Sequence, residues 1–432
     1  MMYSHIFDKL YNKVCPHEKY LYSLQTTENQ LLSFASQFVP SQVKSHHNKD
    51  VISATQVNTK ISKKQIFDER SSSVDCQVNS VSDADEHMLL HSVKISNDKG
   101  HSKNNIFQKS EQTAPLVLQH GYANAALYFY RNLYGMCLGH FSEIHALDML
   151  GWGLSSRPKF LTEKNNELRS AEKFFVESLE EWRKANKIEK MTLAGHSMGG
   201  YLSVAYCEKY PHRVDNLILI SPVGVPEVDE EVEKEKWSKL SFAYWILFSL
   251  LRIITWVVGI TPGSFMRSLT EYRGRRMVEG YVNGRLPMVQ DEDEKAALSE
   301  YLYTNSILPG SGEYVLNHVL QAGCFARDAL VNRIPKLKVP RVSFLYGQVD
   351  WMDINGGLEV QKICEENAAA GIESPNIVVY EVNNAGHLLM LENWHEFNTC
   401  MIMAGGGKVN KLDPRPSIVH HSTYVKAPRR FG

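Results

Sequence analysis

The sequence predicts an α/β fold, a mostly parallel, doubly wound sheet with a helical lid inserted between two of its strands. Three features lead there. From Pro115 onward, apolar runs of strand length alternate with amphipathic segments of helix length. One strand-to-helix junction is the glycine-flanked turn Gly195-His196-Ser197-Met198-Gly199. The alternation then lapses over 226–332, which reads as helical, and resumes beyond it.

Each element has its own reason. Leu116-Val117-Leu118-Gln119, ended by His120-Gly121, is a continuous apolar run, as expected of a parallel strand covered on both faces. Ile144 to Leu147, closed by Asp148, is another. From Arg169 to Asn186, residues Ala171, Phe174, Phe175, Leu179 and Trp182 recur on one helical face. Glu177, Glu180, Glu181 and Lys184 are expected opposite them. Met191 to Ala194 and Leu217 to Ile220 are strands flanking a helix from Met198 to Lys209, and Val342 to Tyr346 and Ile377 to Val382 complete the sheet. Residues 85–225 and 333–405 therefore form the core and 226–332 the lid, with Met88 to Ile95 alternating like an edge hairpin. Residues 1–84, dominated by Ser, Asn, Lys, Gln and His, are expected to be a polar, partly disordered leader with one or two helices. Residues 406–432, after a glycine run and ending in basic residues, read as a tail.

Bulk composition narrows the function. Lys plus Arg number 47 against 48 Asp plus Glu, a net charge of −1, which excludes the basic excess of a nucleic-acid binder. The seven cysteines stand singly, without a Cys-x-x-Cys pair, which argues against a zinc knuckle or disulfide framework and for a reducing, intracellular setting. No apolar run follows Met1 as in a secretory signal, and the first arginine is Arg70, unlike an Arg-rich presequence. A mitochondrial location remains an alternative to other intracellular membranes.

The chemistry centres on Ser197. Gly-x-Ser-x-Gly between an apolar strand and a helix is the context a nucleophile elbow requires, a tight turn that lifts the hydroxyl above the sheet. A serine nucleophile needs a base, and the base needs a third group to orient it; along such a chain the order is Ser, acid, His. Asp350, just past a late strand in Tyr346-Gly347-Gln348-Val349-Asp350, is the preferred acid, with Asp353 as the alternative. His387, in Asn384-Ala385-Gly386-His387 past the last core strand, is the base. The oxyanion hole is assigned to N–H groups of Met198, behind the serine, and of Tyr122 or Ala123 in His120-Gly121-Tyr122-Ala123. Asp148 to Ser155, a second turn at the same sheet edge, reads as structural support.

Together these motifs resemble the α/β-hydrolase fold. They resemble in particular its subfamily of the lipid-droplet lipase coactivator, the N-acyl-phospholipid hydrolase, their plant homologues and the yeast cardiolipin-specific deacylase. Gly312-Glu313-Tyr314 and Asp350-Trp351-Met352-Asp353 point to this branch, and the similarity spans about residues 85 to 402. The resemblance implies a lipid acyl hydrolase or acyltransferase. Coactivator members lack the serine that stands here at 197, so it further implies an active enzyme. The branch's His-x-x-x-x-Asp signature, linked to lysophospholipid acyl transfer, reads His387 to Glu392 here, with Glu for Asp.

Leu240 to Ile260 is nearly all apolar and close to the length of a bilayer span, with Arg252 in its middle and Trp245 and Trp256 near its ends. Lying between strands of one sheet, it is expected to be either a buried lid helix or a helix that dips into a lipid surface, which suits the tryptophans. The expectation is a serine enzyme acting on a phospholipid or lysophospholipid at a membrane or lipid-droplet surface, with acyl-CoA as an acyl donor for transfer. No metal or organic cofactor is implied. The alternatives are a non-catalytic lipase coactivator and a soluble small-ester hydrolase.

Overall fold

The computed structural model describes residues 17–39, 52–66, 87–97, 113–160, 162, 166–228, 261–321, 324–409 and 413–424. Its centre is a nine-stranded sheet. In chain order the strands are β1 (Ile52–Ser62), β2 (His87–Asn97), β3 (Leu116–Gln119), β4 (Glu143–Leu147), β5 (Met191–His196), β6 (Val214–Ile220), β7 (Arg341–Gly347), β8 (Asn376–Val382) and β9 (Ser417–Val419). In space they run β1-β2-β4-β3-β5-β6-β7-β8-β9. The six strands β3 to β8 are mutually parallel, while β1, β2 and β9 are antiparallel additions at the two edges.

Pleat parity divides the core into two layers, because successive side chains leave a strand on opposite faces. Val117, Leu193, Leu217, Leu219, Val342 and Phe344 pack on one face. There they meet α3 (Glu167–Ala185), α4 (Met198–Lys209) and α8 (Ile354–Ala369) through Phe175, Trp182, Leu202 and Leu358. Leu116, Leu118, Ala194, Ile218, Ile220 and Leu345 face the other way, toward α1 (His17–Ala35), α2 (Tyr130–Gly139), α7 (Glu292–Ile307) and α9 (Trp394–Ala404). Both faces of the parallel strands are thus covered, and polar residues within them, such as His145 and Ser343, are buried.

The apolar stripe expected of α3 is the buried one, but its opposite face is not simply solvated. Glu177 and Glu180 are buried: Glu180 accepts from Tyr206 Oη at 2.7 Å and pairs with Arg183 at 2.8 Å, and Glu177 accepts from Tyr210 Oη at 3.0 Å. The C-terminal end of α4, with its cap residue Tyr210, packs over these carboxylates, a tertiary contact that helical periodicity does not reveal.

The termini also enter the fold further than composition suggests. β1, inside the stretch read as leader, pairs with β2 over eleven residues, from Ile52 opposite Asn97 to Ser62 opposite His87. Its polar sequence follows from its place: an edge strand with one face toward water needs little apolar content, and only Thr59 and Ile61 are buried. Leu24, Leu31 and Ala35 of α1 are fully buried in the second layer. At the other end β9, inside the tail, pairs antiparallel with β8 through Val379 and Val419. Between β6 and β7 lie α5 (Pro262–Ser268), α6 (Glu271–Arg285) and α7, together with a two-residue strand pair, Leu320–Gln321 with Phe325–Ala326. Sequence reading finds no strand in that region.

Candidate active site

Because β3 to β8 are parallel, their carboxyl ends bring His120, Asp148, Ser197, Ser221, Asp350 and His387 to one edge of the sheet, where open α/β folds place their sites. Ser197 follows β5 directly and is half-buried. Its backbone, at φ 53° and ψ −114°, lies where a side chain is strained by order 1–3 kcal/mol. The turn is held from outside: Ser197 N–H donates to Ile220 O at 2.9 Å, and Ser197 O accepts from Gly200 N–H at 3.0 Å and Tyr201 N–H at 3.2 Å. The flanking glycines are required by space. A Cβ on Gly199 would come 2.5 Å from His120 O, and one on Gly195 would overlap the Gly199 carbonyl.

His387 Nδ1 lies 3.2 Å from Asp350 Oδ1, with Asp350 at 1% and His387 at 12% side-chain exposure. Ser221 Oγ donates to the other oxygen, Asp350 Oδ2, and Met352 N–H donates to Oδ1 at 2.9 Å. The carboxylate is therefore saturated on three sides and can only present itself to the imidazole. Asp353, the alternative acid, instead caps α8, accepting from Asn355 N–H at 3.2 Å. Among the described residues no hydrogen bond joins Ser197 Oγ to His387, a link that often tightens only with substrate bound.

Met198 opens α4, where the first N–H groups have no intrahelical acceptor and face the serine. Tyr122 lies in the loop after β3, its ring edge-on to Trp152 at 5.2 Å. That loop is fixed by His120. Its Nε2 accepts from Met149 N–H at 3.1 Å, so the proton sits on Nδ1 and donates to Gly121 O at 2.8 Å. Burial lowers His120 to about 4, which keeps the ring neutral and this tautomer in place. Asp148 is buried as well, accepting from Ala126 N–H at 2.7 Å and Leu154 N–H at 2.8 Å. It knits the two loops together, the supporting part its turn suggests.

Several residues at the site take parts that the sequence alone does not reveal. His196 Nε2 donates to the carbonyl oxygen of His387 at 2.9 Å; burial first, then the neighbouring His387, push it well below the usual imidazole range. It is a neutral prop under the base. Glu392 accepts from Gly386 N–H at 2.5 Å, so the residue five beyond His387 clamps the loop that carries it. Glu, one methylene longer than Asp, reaches that amide. Trp351 lies 4.9 Å from the His387 ring and is half exposed, with Val349 exposed beside it, giving the mouth an apolar rim.

Gly312-Glu313-Tyr314 belongs to the lid's attachment. A Cβ on Gly312 would come 2.6 Å from Trp152 Nε1. Glu313 pairs with buried Arg267 of α5 at 2.7 Å and accepts from Thr261 Oγ1. Asn305 of α7 ties the lid to both site loops, accepting from Gly153 N–H at 2.9 Å and donating to Asn124 O at 3.1 Å. Trp245, Arg252 and Trp256, assigned to the membrane-facing lid from sequence, lie outside the described residues. Among the described residues no helix is long and apolar enough to cross a membrane.

Residues 114–393 match the family described as the alpha/beta hydrolase fold. The chain is 32% identical over 317 residues, 72% of each chain, to a protein of Oryza sativa subsp. japonica named probable 1-acylglycerol-3-phosphate O-acyltransferase. It is 31% identical over 314 residues to the Arabidopsis thaliana 1-acylglycerol-3-phosphate O-acyltransferase, covering 72% of this chain and 70% of that one. It is 30% identical over 289 residues to the Homo sapiens 1-acylglycerol-3-phosphate O-acyltransferase ABHD5, covering 66% of this chain and 75% of that one.

Proposed function

The chain belongs to the α/β-hydrolase fold family, in the subfamily of these acyltransferase-named relatives, and on that premise we propose that it is an enzyme moving a fatty acyl group on or off a glycerophospholipid through a covalent intermediate at Ser197. The observation that carries the reading is the pairing of His387 with a buried, fully hydrogen-bonded Asp350 at the same sheet edge as a strained Ser197. A structural histidine in a loop needs no such acid, and an ordinary turn needs no serine at positive φ.

Ser197 Oγ attacks the acyl carbonyl while His387 Nε2 takes its proton; Asp350 holds the ring's other nitrogen and stabilises the imidazolium. The oxyanion that forms lies against the N–H groups of Met198 and Tyr122. Collapse expels the donor's leaving group, the thiolate of coenzyme A or the hydroxyl of a lysophospholipid, which carries away the proton from His387. The acceptor hydroxyl then gives its proton to His387 and attacks the acyl-serine. With a 1-acylglycerol-3-phosphate as acceptor the outcome is transfer, as the relatives' names favour; with water it is deacylation.

The setting is intracellular and peripheral on a membrane or lipid-droplet surface. Support comes from exposed Val349 and Trp351 beside His387 and from the apolar composition of the sequence 240–260. Each CH₂ kept from water is worth about 0.8 kcal/mol, so a long acyl chain favours such a route. A fluorophosphonate probe tests the reading: Ser197 labels in the wild type, and the Ser197→Ala chain does not. A folded wild-type chain that stays unlabelled would instead indicate a coactivator without chemistry.

A further inference from the structure

At the β8–β9 edge of the sheet, on residues that the proposed reaction does not use, two imidazoles converge on one carboxylate. Glu365 projects from α8, and His420 and His421 follow β9 directly. His420 Nε2 lies 3.0 Å from Glu365 Oε1 and His421 Nε2 lies 2.8 Å from Oε2. The three ligating atoms all stand within 4.8 Å of one another. The backbone presents them deliberately. His421 N–H donates to Gln361 Oε1 at 2.9 Å, one turn before Glu365 on α8, and the His420 carbonyl accepts from Thr423 N–H and Tyr424 N–H at 3.0 Å each.

We propose that Glu365, His420 and His421 form a binding site for a borderline divalent cation, zinc foremost, that fastens the C-terminal strand to α8. Two imidazole nitrogens and a carboxylate are a donor set that zinc takes, at about 2.0–2.2 Å per bond. Tetrahedral ligands at that radius stand about 3.4 Å apart. The separations of 3.0 and 2.8 Å, one to each oxygen of Glu365, open by about 0.4–0.6 Å as the cation replaces the imidazole protons, and the three ligand atoms, already within 4.8 Å of one another, draw in around it. The second ring nitrogen of His420, Nδ1, lies 2.8 Å from Ser422 Oγ and accepts from Ser422 N–H at 3.3 Å; when Nε2 binds metal, Nδ1 takes the ring proton, releases that amide and donates to Ser422 Oγ. With His421 at 24% and Glu365 at 48% exposure, water completes the coordination, and the cation enters directly from solvent.

The site also has a structural consequence. β9 is three residues long, too short to hold by pairing alone, whereas a cation shared with α8 anchors it from the side.

The test uses the full chain, stripped by a chelator and titrated with zinc alone by calorimetry, beside Glu365→Gln and the double variant His420→Ala/His421→Ala. Hydrogen exchange of residues 417–421 is followed in parallel. The wild type should take up one equivalent that both variants lose, the double variant by more than the roughly 10- to 100-fold that removal of an outer-shell partner costs. Zinc should slow exchange of 417–421 in the wild type alone. All three groups are at least partly solvent-exposed, so the variants are expected to fold; should the double variant not, Glu365→Gln decides. Equal zinc binding by wild type and variants, or exchange indifferent to zinc, would overturn the proposal and leave a hydrogen-bonded His–Glu contact.

Discussion

At the scale of single residues, Ser197, Asp350 and His387 are legible because each follows a recognisable strand, and parallel strands bring their ends together. The choice between Asp350 and Asp353 rests on what else binds each carboxylate. Asp350 has Ser221 and the Met352 amide on its remaining lone pairs and His387 before it, whereas Asp353 is spent on its helix cap. Asp350→Asn should therefore cost turnover by orders of magnitude, up to about 10⁴-fold, while Asp353→Asn, which keeps an equally good helix cap, costs little stability and little rate. The reverse ranking in steady-state kinetics would move the acid to Asp353. The parts of His196, Ser221 and Glu392 were not legible, since they depend on which atoms the fold sets beside them.

A second residue-scale case lies away from the site. Glu28 of α1 is fully buried against His91 Nε2 at 3.0 Å, and its Oε1 has no partner among the described residues. Burial, outweighing the pull of His91, raises its carboxyl from 4.5 to about 7. The folded chain thus holds a proton there that the unfolded chain releases, and this contribution to stability is lost as pH rises from about 4.5 through 7. Glu28→Gln, which has no charge to desolvate, should gain in Tm relative to wild type across that window. A Tm difference that stays flat with pH would mean that Glu28 is not held neutral.

At the scale of elements, periodicity and turn chemistry locate the parallel core well and the edges poorly. β1 and β9 escape notice because edge strands need few apolar residues; a helix was expected in the leader, but the docking of α1 on the sheet through Leu24, Leu31 and Ala35 was not. The meaning of Gly312-Glu313-Tyr314 becomes clear only with Arg267, 46 residues away. Arg267 and Glu313 are 1% and 6% exposed, so removing one partner strands a buried charge. Arg267→Met should destabilise the fold by about 3–5 kcal/mol in denaturant titration, with α5 the first part to lose hydrogen-exchange protection. A loss under about 1 kcal/mol would show that solvent already reaches the pair.

At the scale of the whole molecule, the helical insertion is tied to the loops of the sheet edge by Asn305 and by Gly312, packed against Trp152. If the stretch with Trp245 and Trp256 brings the mouth of the site to a lipid surface, changing both to Ser should cut vesicle binding and phospholipid turnover while a short water-soluble ester is still cleaved. A parallel fall of both activities with a lower Tm would make that stretch core. The central claim, acyl transfer through Ser197, meets its most direct test in one assay. Purified chain is supplied with labelled acyl-CoA and 1-acylglycerol-3-phosphate, and labelled product is counted for wild type, Ser197→Ala, His387→Ala and the double variant. Each single change should lower the rate by roughly 10⁴-fold or more, and the double change should add little, because the two residues act as a unit. Wild-type rates from the Ser197→Ala chain would contradict it.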